Sequence, residues 1–204
     1  MTAVLLVYPF FRRRLDRSRF RFPPLGIAYV AASLREAGHS VQVLDCTFLS
    51  RDEAVRRAQA AHADVVGIYC MVTMEDACLG FARALRGHCR LLVAGGPLPT
   101  CEPEAFLRHF DVVVRGEGEQ TMLDLLLAHE AGADVASVPG VVCRRTKGAP
   151  ADHAAAPESG AAAYAPPRPF AGDLDRIPVP ARDLLPHAQY IEFGKRAYGS
   201  SITT

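Results

Sequence analysis

An open, mostly parallel α/β sheet with helices on both faces is the fold this sequence predicts, on three observations. Apolar runs of strand length alternate with segments of helical spacing from Ala3 to His129. The runs are continuous rather than alternating, as in strands buried on both faces. Several stop abruptly at glycine or proline, the way a parallel strand delivers a ligand loop at its carboxyl end.

Ala3–Tyr8 is the first strand, closed by Pro9, and an arginine-rich loop runs on to Pro24. Leu25–Ala37 carries Leu25, Ala28, Tyr29, Ala32 and Leu34 at helical spacing and stops at Gly38, a good helix terminator. Val41–Asp45 is the second strand and Arg51–His62 a polar-faced helix. Ala63–Cys70, Leu91–Ala94 and Asp111–Arg115 are the next strands, followed by helices at Glu75–Arg86, Pro103–His109 and Glu119–His129. This cadence requires right-handed crossovers, hence a five-stranded Rossmann- or flavodoxin-like parallel sheet. Gly140–Arg145 reads as one more strand at an edge, and 149–170, rich in alanine and proline, as irregular chain. Asp173–Leu185 cannot hold a long helix. It is expected to be an extended, proline-rich linker that packs Leu174, Ile177, Pro178, Val179 and Pro180 on a neighbour. The predicted division is a ligand-binding domain over 1–147 and an edge and linker segment over 148–204.

Composition narrows the function classes. Half of the 204 residues are hydrophobic, enough for a sizeable core without staples. A net charge of +1, from 23 basic and 22 acidic residues, argues against nucleic acid or a membrane surface as partner. No apolar run approaches a membrane span, and Met1–Val7 lacks the basic flank of a signal peptide, so a cytoplasmic location is expected. Six cysteines include no Cys-x-x-Cys pair and no three-cysteine cradle for an iron–sulfur cluster, so most read as small buried hydrophobes. His39, His62, His88, His109 and His129 lie in a turn or at helix ends and read as structural.

In such a sheet a ligand sits above the strands' carboxyl ends, so the loops after strands one, three, four and five are the site. The first, Pro9–Pro24, holds Arg12, Arg13, Arg14, Arg17, Arg19 and Arg21. These suit a phosphate or a propionamide-rich ring, but a solvated loop is the favoured reading for most of them. Pro24 fixes the backbone at its end, and Gly26 beside Leu25 admits a planar ligand to the helix start. Met71, Val72, Thr73 and Met74 form an apolar loop tip that suits the face of a large macrocycle, or else Met71 and Met74 plug the core. Gly95 and Gly96 let backbone amides approach a ligand, Pro97 and Leu98 hold that turn rigid, and Thr100 either caps a helix or bonds the ligand. Gly116, Glu117, Gly118, Glu119 and Gln120 suit a polar, uncharged ligand edge, since the carboxylates would repel a phosphate. Gly96 and Gly118 are expected to serve cofactor approach rather than folding. A nucleotide fingerprint, a phosphate loop and a nucleophile elbow are all absent.

Taken in order, Pro23–Leu34 (PPLGIAYVAASL), Gly38–Asp45, Gly95–Thr100, Arg115–Glu119 and Asp173–Leu185 resemble the cobalamin-binding domain that precedes the catalytic domain in cobalamin-dependent radical S-adenosylmethionine enzymes. The resemblance, class B methyltransferase-like, covers nearly the whole chain. It implies a module that binds cobalamin for a parent enzyme carrying a [4Fe–4S] cluster and S-adenosylmethionine. The implied reaction is methyl transfer to an unactivated carbon or phosphorus centre of a small-molecule substrate.

Two departures qualify it. Pro9–Pro24 contains no histidine, so cobalt ligation through Asp-x-His-x-x-Gly is excluded and base-off cobalamin without a histidine ligand is expected, with Met71–Met74 nearest its lower face. The chain ends at Gly199–Thr204, which resembles the strand just before the family's cluster cysteines. It therefore reads as the amino-terminal part of a larger enzyme whose C-terminal radical domain is missing, able to bind cobalamin but inactive alone. A cobalamin-dependent radical cyclase or rearrangement enzyme, a stand-alone corrinoid carrier or sensor, and a flavodoxin-like domain for another planar cofactor are the alternatives.

Overall fold

The structure, a computed structural model, describes residues 1–11, 21–144 and 162–198. Strand β1 (Ala3–Tyr8) leads through helix α1 (Leu25–Glu36) to β2 (Ser40–Asp45), and α2 (Arg51–Ala60) carries the chain back past β1 to β3 (Val65–Tyr69). Helix α3 (Glu75–Leu85), β4 (Leu91–Gly95), the short helices α4 (Pro97–Cys101) and α5 (Pro103–Phe106), β5 (Val112–Val114) and α6 (Glu119–Glu130) complete the alternation. β6 (Val141–Arg144), β7 (Ala162–Tyr164) and α7 (His187–Tyr198) follow.

The strands form one sheet in the order β2-β1-β3-β4-β5-β6-β7. β1 to β5 pair in parallel, as the sequence predicts, while β6 and β7 are antiparallel additions. The parallel part is wound in the flavodoxin order, with its reversal between β1 and β3. Period-two alternation splits β1 between two cores. Leu5 and Val7 pack with Ala54 of α2 and Phe81 and Leu85 of α3, while Val4 and Leu6 pack with Ile27, Ala31 and Leu34 of α1 and Leu125 and Leu126 of α6. Each such side chain contributes about 1.5–3 kcal/mol when fully buried, and a one-residue slip would exchange the two faces, so register is strongly specified.

The sheet differs from the sequence expectation in extent. Among the described residues it has seven strands, not five plus an edge, because β7 rises from the stretch read as irregular and covers β6. Ala162–Tyr164 is a strand because its partner supplies the ladder; nothing in its own pattern requires one. Pro97 and Leu98 belong to helix α4 rather than a rigid loop, since proline at the first helical position is pre-set for helix. The linker is extended, with single turns at Leu174–Arg176 and Arg182–Leu184. Its anchors are only partly the expected ones: Ile177, Pro178 and Pro180 are half-buried, Leu174 is 69% and Val179 84% exposed, and Ala181, Leu185 and Tyr190 are buried.

That C-terminal arm is fastened along its length. Gly140 donates to the Pro166 carbonyl (2.8 Å), Arg168 Nε to Thr121 Oγ1 (2.8 Å), Ala171 N to Glu117 Oε2 (2.8 Å), and Ala181 N to the Ala28 carbonyl (3.0 Å). Arg35 pairs with Asp183 at 2.6 Å, an exposed contact worth little. The expected strand at Gly199–Thr204 and Arg12 to Arg19 lie outside the described residues. No helix among the described residues is long and apolar enough to cross a membrane.

Candidate functional site

The carboxyl ends of β1, β3, β4 and β5 face one edge of the sheet, and beneath that edge a slot of about 210 Å³ opens on the side covered by α1 and α6. Leu6 of β1, Gly67 of β3, Val93 of β4 and Val114 of β5 form its sheet wall. Ile27 and Val30 of α1 and Met122 of α6 form the helix wall. Gly26, Gly95, Gly96, Gly116 and Gly118 ring its mouth with Tyr69, Glu117 and Glu119. An apolar space with polar side chains confined to the entrance suits a flat, apolar group pushed in from above.

The glycines there do different jobs. A Cβ at Gly26, Gly95 or Gly116 would meet no atom within 4 Å, so these positions leave real room at the entrance. Gly96 is otherwise. Its φ of 104° with ψ of −176° is a region other residues avoid, and a Cβ would lie 2.7 Å from the Cys70 carbonyl oxygen and 3.0 Å from the Tyr69 ring. A Cβ at Gly118 would sit 3.1 Å from Val30 Cγ2. To the expected part in cofactor approach the structure adds a packing one: Gly96 fits the backbone at the end of β4, and Gly118 lets α6 start close against α1.

Thr100 ties two loops together. Its hydroxyl donates to the Gly96 carbonyl (2.9 Å) and accepts from Gly116 N (3.2 Å). It neither caps the helix from outside nor points alone into the slot; it holds the fourth and fifth loops in register. After β3, Met71 is half-buried, Val72 is 72% exposed and Thr73 is exposed, whereas Met74 is 2% exposed. Of the two readings for that loop, Met74 takes the core plug and Val72 the apolar tip. Pro9 and Pro24 lie at the two ends of the first loop, both buried, and Leu25 is exposed at the start of α1. Leu98 packs against the core on the α2–α3 side. Gln120 turns away, its amide donating to Asp124 Oδ1 (2.8 Å).

Over β1 and β2 the edge is closed by α7. The Tyr190 hydroxyl donates to Asp45 Oδ2 (2.5 Å) and lies 3.0 Å from Thr47 Oγ1, which itself donates to Asp45 Oδ1 (2.5 Å). Burial raises the Asp45 carboxyl above its ordinary value despite those bonds. The Tyr8 hydroxyl is pushed up to about 12, by burial first and then by Tyr69 and Asp45. Tyr8 packs on Tyr69 with ring centroids 5.5 Å apart, and the Arg21 guanidinium lies over Phe10 (5.1 Å) and Phe193 (5.7 Å). This cluster walls one flank and leaves the edge over β3, β4 and β5 as the approach.

A wider groove of about 630 Å³ lies between α1, α6 and the arm, sharing Glu117 and Glu119 with the slot. Its basic groups are matched within the protein, Arg168 with Asp124 and Arg176 with Asp173. Among the described residues no group of three or more His, Cys, Asp or Glu is arranged to hold a metal ion, and no histidine lines the slot.

Of the residues singled out in the sequence, the slot brings together Gly26, Gly95, Gly96, Gly116, Glu117, Gly118 and Glu119. Its walls were missed, because they are core-facing positions of strands and helices rather than loops. One signal existed. Gly67 interrupts the valine-rich Val65–Tyr69, and a glycine inside a strand marks a close approach. A Cβ there would stand 2.9 Å from Leu6 Cδ2.

Residues 14–126 match the B12 binding domain family. The chain is 32% identical over 176 residues, 82% of its length, to the uncharacterized methyltransferase PH0819 of Pyrococcus horikoshii, and covers 35% of that protein. It is 31% identical over 174 residues to the hopanoid C-3 methylase of Methylococcus capsulatus, covering 81% of this chain and 30% of that one. The chain thus spans about a third of the length of these relatives. Among solved structures, the cobalamin-dependent S-adenosylmethionine radical enzyme OxsB with aqua-cobalamin and S-adenosylmethionine bound superposes at a TM-score of 0.69, over 90% of this chain and 25% of that one, at 15% identity. The radical S-adenosylmethionine methyltransferase TsrM from Kitasatospora setae, with cobalamin and [4Fe–4S] cluster bound, gives 0.61 at 22% identity, over 72% of this chain and 30% of that one. At those identities the likeness is one of fold. With the family match running over more than half its length, on a flavodoxin-ordered sheet that opens a slot at its carboxyl edge, the chain belongs to the B12 binding domain family.

Proposed function

We propose that this chain holds cobalamin base-off, its dimethylbenzimidazole tail in the slot and its ring against the loops at the carboxyl edge, as the cofactor module of a radical S-adenosylmethionine methyltransferase. The slot carries the reading. It is apolar, roofed by glycines and free of histidine, so a flat base fits there away from the metal and no imidazole replaces it. Gly26, Gly95, Gly116, Gly118 and the backbone at Gly96 admit the tail. Glu117 and Glu119 face its polar end, while Leu25, Met71, Val72 and Thr73 offer a surface to the ring. Pro9 and Pro24 fix the first loop's ends.

Bound cobalamin supplies a cobalt centre able to carry a methyl group. The chain's own work is to fix the cofactor's position, keep imidazole nitrogen off the lower face, and exclude water from the tail. Sequence likeness to two proteins named as a methyltransferase and a methylase supports methyl transfer. Ring closure is the second reading, supported by 30% identity over 145 residues to the anaerobic magnesium-protoporphyrin IX monomethyl ester cyclase of Synechocystis. In either case the cluster, S-adenosylmethionine and the small-molecule substrate fall to the part of the enzyme that the relatives carry beyond this region. Gel filtration with excess hydroxocobalamin, read in the visible, tests binding: the protein peak should carry corrinoid colour, and a colourless peak would sink the reading.

A further inference from the structure

Among the described residues the interior of the slot is walled by apolar side chains alone. Its side chains are Leu6, Ile27, Val30, Val93, Val114 and Met122. Part of its backbone is engaged in the fold: Leu6, Gly67 and Val93 lie in one parallel ladder, and Met122 N donates to the Gly118 carbonyl (2.8 Å). Polar side chains stand only at the mouth, and one of them, Glu117, already accepts from Ala171 N (2.8 Å). From this we infer that the chain selects among corrinoids by their lower base, taking those with benzimidazole or phenolic tails and discriminating against those with adenine. The inference rests on the tail-in-slot reading above.

The chemistry lies in the end of the base remote from the ribose, which enters first. Dimethylbenzimidazole presents two methyl groups there, and p-cresol one; both gain from leaving water. Adenine presents an exocyclic amine and ring nitrogens that lose their water against walls with no polar side chain. A single unpaired buried polar group corresponds to about tenfold or more in affinity, so adeninyl cobamide should bind at least about tenfold more weakly than cobalamin. Val30 is half-buried in the wall, and Val30→Thr keeps its shape while adding one hydroxyl. That variant should narrow the gap between the two ligands.

Equilibrium ultrafiltration of the chain with cobalamin, cresolyl cobamide, adeninyl cobamide and tail-less cobinamide, read on corrinoid absorbance, tests this. The expected order places cobalamin and cresolyl cobamide together, adeninyl cobamide at least about tenfold behind, and a reduced gap in Val30→Thr of unchanged melting temperature. Equal affinity for cobalamin and adeninyl cobamide overturns the selectivity while leaving cobalamin binding intact. Cobinamide binding as tightly as cobalamin overturns it too, because the tail then contributes nothing. Failure of all four to bind overturns the underlying cofactor reading, a distinct result.

Discussion

Gly26 and Gly96 both border the slot, yet substituting them should fail in opposite ways. At Gly96, alanine must hold a backbone conformation that costs about 1–3 kcal/mol for a residue with a Cβ. Its Cβ would also stand 2.7 Å from the Cys70 carbonyl oxygen, where backbone must shift, adding about 1–3 kcal/mol of overpacking. The sum is about 2–6 kcal/mol, and for a chain of this size each kcal/mol lowers the melting temperature by about 2–4 °C. Gly96→Ala should therefore melt at least about 4 °C below the parent. Gly26 lies in the first turn of α1, where a Cβ would have no atom within 4 Å, so Gly26→Leu should keep or raise the melting temperature, gaining up to about 1 kcal/mol of helix propensity. Its side chain would stand in the mouth of the slot, and cobalamin affinity should fall about tenfold or more, the cost of roughly one displaced apolar contact region. Circular dichroism melts and cobalamin ultrafiltration on both variants decide the matter. Gly96→Ala melting with the parent would refute the backbone argument, and Gly26→Leu binding cobalamin like the parent would refute the assignment of the slot.

Three further outcomes are expected. Thr100→Val removes the links to Gly96 and Gly116, costing about 1–3 kcal/mol in a thermal melt and loosening cobalamin binding with it; unchanged values in both would show that the two loops hold themselves. Tyr190→Phe strips a donor from the buried Asp45 and should cost about 1–3 kcal/mol, whereas Phe193→Ala at the same helix leaves that bond in place, so equal pH behaviour of the two would argue against the hydrogen bond. Because the folded carboxyl of Asp45 is raised above its ordinary 3.8, its contribution is fully present below that value and is lost as pH rises through the folded value. Asp45→Asn should accordingly gain on the parent as melts move from acid toward neutral pH, and a constant difference would contradict the shift.

The parallel sheet was legible because its strands are buried on both faces and announce themselves as continuous runs such as Val65–Tyr69 and Leu91–Gly95. β7 was not: Ala162–Tyr164 has no pattern of its own and becomes a strand only beside β6. The arm's anchors were partly misread for a related reason. Val179 looks like an anchor by hydrophobicity, but the hydrogen bond from Ala181 to Ala28 sets which residues face inward. Within the site, glycines and carboxylates at the loop ends were readable from strand-to-loop punctuation. The slot's walls were not, since Val30 and Met122 are indistinguishable in sequence from ordinary core residues until α1 and α6 stand side by side. The distinct roles of Gly26 and Gly96 required φ and the neighbouring atoms.

The paramagnetic resonance spectrum of cob(II)alamin bound to the purified chain tests the central claim most directly. With the dimethylbenzimidazole in the slot and no imidazole at hand, the cobalt signal should lack nitrogen superhyperfine splitting. Triplet splitting from a coordinated nitrogen, of the tail's own base or of a histidine, would contradict it.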